Sequence, residues 1–304
     1  MAASTCRETA LSLRLSMTAR SATLIGFTAI AMWSLLAALT VATGRVPAFQ
    51  LAAMTFAIGA LVGMATWVWT GGAKAALNQP LAAWAVGVSG LFGYHALYFL
   101  ALRLAPPAEA GLINYLWPLL IVLFSAFLPG EGLRWHHIAG ALLGLAGTVA
   151  LFGGGSGGFV LDYLPGFTAA FVAAFIWAAY SVLSRRLAAV PTAAVAGFCA
   201  VTAALAAIFH LVFEQTVWPE TLPQWLAILA LGVGPVGAAF YAWDIGMKRG
   251  DIRVVGAASY ATPLLSTGLL VALGYAQASS SLVLATLLIA GGGLLAAKDL
   301  FLKR

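Results

Sequence analysis

Ten apolar runs separated by short connectors leave this chain few folds to choose from. They lie at roughly 22–42, 48–70, 81–103, 107–129, 136–153, 164–186, 192–214, 223–247, 253–275 and 281–301. A helix needs about 20 such residues to cross the hydrocarbon of a bilayer, and only helices or closed barrels satisfy every backbone group there. The runs exceed the roughly 9–11 residues of a barrel strand, and the connectors are too short to hold a soluble catalytic domain. The expected fold is an all-α polytopic membrane protein of ten transmembrane helices. Charged residues supply 8% of the chain and hydrophobic ones 62%, against about a quarter charged in soluble domains. Lipid must therefore be the solvent for most of the surface.

The net charge of +6 would suggest nucleic acid in a soluble protein. Here the Lys and Arg residues fall in small groups between apolar runs, the pattern of topology signals. With a cytoplasmic N-terminus, 13 of the 15 face the cytoplasm and only Arg45 and Arg103 lie outside. Both termini are then cytoplasmic and no nucleic-acid partner is expected. Residues 1–20 read as a cytoplasmic lead, with Met17 a candidate natural start. The first apolar run is too long for a secretory signal and is read as a retained span. Cys6 and Cys199 are too few and too scattered for a disulfide framework or a metal site.

The chain repeats itself. The segment Gly111 to Leu120, GLINYLWPLL, returns 145 positions later as GAASYATPLL, Gly256 to Leu265. At the same offset Gly87 matches Gly232, Val88 matches Val233 and Arg103 matches Lys248, and Trp33 meets Trp177 at an offset of 144. Residues 21–153 and 164–304 thus form two five-span repeats joined by a Gly-rich linker at 154–163. Because five is odd, the second copy enters the membrane from the opposite side, which makes an inverted-topology repeat with its shared interface near the midplane.

Polar and aromatic groups gather at that depth: Trp33, Tyr94, His95, Tyr98, Asn114, Tyr115, Trp117, Trp177, Tyr180, Tyr241 and Tyr260. Tyr94 and Tyr98 share a helix face, as do His95 and Tyr98. A hydroxyl or imidazole turned to hydrocarbon loses its water partners, so each is expected to meet protein, a cavity water or a solute. Packing accounts for any one of these rings taken alone, and a satisfied structural role for His95; their concentration on repeat-paired spans favours a solute cavity. Pro118 and Pro263 interrupt the fourth and ninth spans near their centres; they are candidate hinges or simple packing kinks. Gly140, Gly144 and Gly147 in the fifth span, with Gly291, Gly292 and Gly293 in the tenth, allow close helix approach. Asp244, four residues before Lys248, suggests an i, i+4 ion pair, and Glu109 suits the first turn of a helix.

Absences narrow the chemistry. No Lys or Arg lies near the midplane, which disfavours phosphate anions, and the first span has no carboxylate to trade protons with cationic drugs. A neutral or zwitterionic solute with apolar character fits, held by ring faces that also attract an ammonium group. No nucleophile and base, metal-ligand cluster or nucleotide loop is evident, so neither an enzyme nor a bound cofactor is expected.

The ten spans, the repeat and the paired frames at Gly111 and Gly256 resemble the drug/metabolite transporter superfamily, its EamA-type members and, among those, the YddG-like amino-acid exporters. The resemblance implies a basket-shaped carrier in the bacterial inner membrane, with a cavity lined by spans one, three, four, six, eight and nine. It implies export of aromatic and other hydrophobic amino acids by a monomer, with Trp33, Tyr94, His95, Tyr98, Tyr115, Trp117 and Trp177 as cavity residues. An exporter of drugs, nucleosides or other small neutral metabolites is the alternative within the superfamily.

Overall fold

Residues 18–70, 72–125, 134–153, 161–185, 187, 189–250, 255, 258–296 and 298 are described in a computed structural model. In chain order the helices are α1 (Ala19–Ser34), α2 (Leu36–Ala42), α3 (Ala48–Thr70), α4 (Ala73–Leu77) and α5 (Leu81–Leu104). Next come α6 (Pro107–Asn114), α7 (Trp117–Ser125), α8 (Trp135–Gly153), α9 (Leu164–Arg185) and α10 (Ala194–Phe213). The last four are α11 (Leu222–Val233), α12 (Ala239–Arg249), α13 (Thr262–Ala272) and α14 (Ser280–Ala296). Among the described residues, six stretches are long and apolar enough to cross a bilayer: Ala19–Ala42, Ala48–Val68, Leu81–Leu104, Leu161–Leu183, Ala194–Phe213 and Leu222–Gly246. The lead before residue 18, most of the Gly-rich linker, Gly256 and the Lys248 side chain lie outside the described residues.

Among the described residues, four of the apolar runs are interrupted rather than continuous α-helices. The fourth breaks between α6 and α7, where the Tyr115 N–H turns back to Gly111 and the Leu116 N–H to Ile113. Pro118 then sits in the first turn of α7, where its missing N–H costs nothing. Pro263 holds the same place in α13, preceded by a 3-10 turn at Ser259–Ala261. Between α11 and α12 the ladder widens to a π turn, Gly234–Ala238, around Pro235; a proline cannot donate, and π turns recur at functional sites. The first run breaks at Leu35, whose N–H returns to Met32, with no proline nearby.

Packing follows the small residues. The most extensive helix contacts are α8 with α14, α3 with α10, α5 with α9 and α1 with α12. Large aliphatics such as Leu142, Leu145, Leu284 and Leu287 face outward, as lipid solvent allows. Trp135, Trp218 and Trp225 are exposed near helix ends, with the Lys298 ammonium 5.0 Å over the Trp135 ring. That is the interfacial use of aromatics.

Where α8 meets α14, a Cβ on Gly140 would lie 2.4 Å from the Gly292 carbonyl oxygen, whereas one on Gly291 would meet nothing within 4 Å. Lipid gives helices no hydrophobic reason to associate, so close backbone contact carries this pairing. Gly140→Val is expected to destabilise the protein by about 1–3 kcal/mol through overpacking, and Gly291→Val to leave it unchanged. Melting temperature in detergent, monitored by monodispersity, checks both.

Candidate functional site

The helix breaks converge on one small cavity. It is lined by Trp33 and Leu36 on either side of the break at Leu35, by Tyr94, His95 and Tyr98 of α5, and by Tyr115 and Trp117 at the α6–α7 break. Trp177 of α9, Phe240 of α12 and Thr262 of α13 complete the wall. Residues at or near each break contribute to the wall, and the unbroken α5 and α9 supply the rest. The centres of water molecules can reach about 20 Å³ of it. That is room for one or two waters at ~10–15 Å³ each, so the rings are closed on one another.

Three tryptophans from different helices form the middle of the cluster, edge to face. Trp33 meets Trp177 at 5.8 Å between ring centroids and 84°, and Trp117 at 6.5 Å and 81°. Trp117 and Trp177 close the triangle at 6.4 Å and 79°. Such crossings bring a positive ring edge to a negative face. The Trp33 indole N–H donates to the Pro235 carbonyl at 3.1 Å, tying α1 to the π turn. The Tyr260 hydroxyl, just before α13, reaches the Pro118 carbonyl at 3.5 Å.

Among the described residues no charged side chain lines the cavity, and several polar atoms beside it have no hydrogen-bond partner. His95 Nε2, the Tyr98 hydroxyl, Asn114 Oδ1 and Thr262 Oγ1 are buried without a hydrogen bond among the described residues. Buried polar atoms are rarely left so. Asn114 stands behind the wall and donates from Nδ2 to the Tyr94 hydroxyl oxygen at 2.9 Å.

Of the residues singled out from sequence, Trp33, Tyr94, His95, Tyr98, Tyr115, Trp117 and Trp177 come together at the cavity, and Asn114 touches it through Tyr94. Tyr180, Tyr241 and Tyr260 do not line it. Each covers a glycine of another helix: Cβ atoms built on Gly90, Gly63 and Gly293 would run into Tyr180, Tyr241 and Tyr260 respectively. Tyr180 still touches the edge of the cluster through Trp177, 5.1 Å away. Leu36, Phe240 and Thr262 were missed. Phe240 carries no polar atom to draw attention, but it follows a proline flanked by glycines, and Thr262 occupies the repeat position of Trp117. Asp244 accepts a hydrogen bond from the Thr192 hydroxyl. Among the described residues no group of three or more His, Cys, Asp and Glu could hold a metal ion.

The EamA-like transporter family profile matches twice, over residues 20–153 and 164–297. The chain belongs to that family. It is a multi-pass bacterial membrane protein of an all-helical transporter family. Among EamA-like relatives, the aromatic amino acid exporter YddG of Ancylobacter novellus is 60% identical over 282 residues, covering 92% of this chain and 98% of the relative. The aromatic amino acid exporter YddG of Escherichia coli is 29% identical over 303 residues, covering 92% and 97%. A crystal structure 58% identical to this chain superposes with a TM-score of 0.74, covering 91% of this chain and 96% of the other.

Proposed function

We propose that this chain is a secondary carrier that exports aromatic and other hydrophobic amino acids across the bacterial inner membrane by alternating access through the aromatic cavity. The observation that carries the reading is that cavity: rings from five spans and a threonine from a sixth, with no charged lining residue and several unpartnered polar atoms among the described residues, in a chain 60% identical to a named aromatic amino acid exporter. Ring walls suit aromatic and aliphatic side chains, and ring faces suit an ammonium group. The cavity is too small for an amino acid while the rings are closed, so transport requires them to part. Trp33, Tyr94, His95, Tyr98, Tyr115, Trp117 and Trp177 are the proposed solute contacts, and the breaks at Pro118 and Pro263 the proposed hinges.

The carrier is further proposed to have ten spans in two inverted repeats, 21–153 and 164–304, with both ends cytoplasmic. The two family matches support this, as does the pairing of helices. Exchanging the repeats turns the contact of α1 with α12 into that of α9 with α5, and leaves α3 with α10 and α8 with α14 unchanged.

Purified protein in liposomes should give saturable counterflow of labelled phenylalanine or tryptophan. Alanine at Tyr94, Tyr98 or Trp177 should depress it at least tenfold, whereas alanine at the outward-facing Leu284 should leave it intact. Flux of a nucleoside or drug without amino-acid flux, from correctly inserted protein, would overturn the assignment.

A further inference from the structure

The cavity has two unlike walls. Its tryptophans and Phe240 present rings, while α5 and α6 present hydrogen-bonding groups whose polarity the structure fixes. His95 Nδ1 lies 3.0 Å from the Leu91 carbonyl oxygen. A carbonyl can only accept, so the imidazole proton sits on Nδ1 and Nε2 is left as an acceptor. The ring is 1% exposed and surrounded by Phe56, Tyr94, Phe99, Trp177 and Phe240. None of these offers a counter-charge to an imidazolium, so the neutral form with its bare Nε2 is the one this site holds.

On the two tyrosines beside it, polarity reverses. The Tyr94 hydroxyl oxygen already accepts from Asn114 Nδ2, which leaves its O–H as the group to offer. The Tyr98 hydroxyl, its ring stacked on Tyr94 at 5.7 Å and 20°, has no partner among the described residues. The Tyr94 and His95 rings are 4.7 Å apart. In an α-amino acid, one Cα holds the ammonium nitrogen and the carboxylate carbon about 2.5 Å apart, a head small enough to address both rings.

We propose that the α5–α6 wall is a head-group subsite selective for a free α-amino acid. His95 Nε2 accepts from the ammonium, and the Tyr94 and Tyr98 hydroxyls donate to the carboxylate. Asn114 is a positioning residue: it touches no solute but donates to the Tyr94 oxygen, which turns the hydroxyl proton away from it and toward the carboxylate. Trp33, Trp117, Trp177 and Phe240 receive the side chain. This rests on the reading of the chain as an amino-acid carrier and adds which end of the solute meets which wall.

The test is competition against labelled phenylalanine counterflow in proteoliposomes, with unlabelled phenylalanine, phenethylamine, which lacks the carboxylate, and 3-phenylpropionate, which lacks the ammonium. In the wild type each truncated analogue should compete roughly tenfold or more weakly than phenylalanine, the effect of one lost hydrogen bond to a charged group. His95→Phe should weaken phenylalanine and phenethylamine by a similar factor and spare 3-phenylpropionate. His95→Gln, which can offer an amide oxygen, should recover part of the loss. Asn114→Leu should weaken phenylalanine and 3-phenylpropionate and spare phenethylamine, a split that a purely structural defect would not produce.

Absence of phenylalanine counterflow in the wild type would sink the amino-acid reading itself. Counterflow in which both analogues compete as well as phenylalanine would overturn the subsite and leave that reading standing. Variants that weaken all competitors equally would overturn the roles of His95 and Asn114. Should both variants lose all flux, the wild-type competition series decides alone.

Discussion

Trp33→Ala should reduce amino-acid counterflow about a hundredfold or more, the largest loss expected from any single side chain in the cavity. The indole stands against Trp117, Trp177, Phe240 and Trp243 at centroid distances of 5.0 to 6.5 Å. It also donates to the Pro235 carbonyl. Truncation removes a wall from the proposed side-chain pocket and leaves a buried hole, which costs about 3–5 kcal/mol for a large ring. It also strands an acceptor at the π turn, for about 1–3 kcal/mol more. Trp33→Phe loses the donor but keeps a smaller ring, so it leaves less of a hole than alanine does. Its flux should fall between wild type and Trp33→Ala, with a smaller drop in melting temperature. Initial rates over a range of phenylalanine concentrations, with detergent melting of the same preparations, would decide. Retention of more than half the wild-type rate by Trp33→Ala would contradict a central place for this ring in transport.

The role of Trp33 also shows where sequence is informative in a membrane protein and where it is not. Lipid requires apolar runs of set length, so an uninterrupted helix such as α3, expected over 48–70, is found at Ala48–Thr70. Prolines at mid-membrane depth are legible too, because a missing N–H must be accommodated: Pro118 and Pro263 both start helices after a break. Pro235 carried the same signal, flanked by Gly234 and Gly237, and marks the π turn. The break at Leu35 has no proline or glycine beside it to announce it, and only the hydrogen bonds reveal it.

Side-chain placement was legible only by half, for a definite reason. Tyr94 and Tyr180 look alike on the page, each a tyrosine within an apolar run. Whether such a ring enters a cavity or covers a neighbouring backbone depends on what the facing helix offers, and for Tyr180 that is Gly90, ninety positions away. Tyr115 and Tyr260 are repeat partners with different surroundings. Tyr115 lines the cavity, while Tyr260 lies over Gly293 and reaches Pro118. The scaffold repeats while the contacts diverge, because Asn114 and Trp117 have no counterparts in the second frame, where Ser259 and Thr262 stand.

Glu214→Ala should lower the melting temperature by about 5 °C or more. This residue follows α10, yet its carboxylate accepts from the Phe49 and Gln50 backbone N–H groups at 2.9 and 3.0 Å. These belong to the first turn of α3, whose N–H groups have no partners within the helix and whose dipole favours a negative charge there. His210 Nδ1 donates to the same carboxylate at 3.0 Å, and the guanidinium of Arg103 attracts it while donating to Thr43 Oγ1 at 2.7 Å. One acid thus joins α10, α3 and the end of α5. The Glu214 side chain is 14% exposed, so solvent replaces little of what truncation removes. Each hydrogen bond to a charged group contributes about 1.5–3 kcal/mol, and a few kcal/mol corresponds to several degrees in a chain of this size. Glu214→Gln keeps one acceptor oxygen but loses the charge and one helix-capping bond, so it should fall between wild type and alanine. Equal melting temperatures for wild type and Glu214→Ala would mean that α3 docks on α10 through apolar packing alone, with the cap contributing nothing.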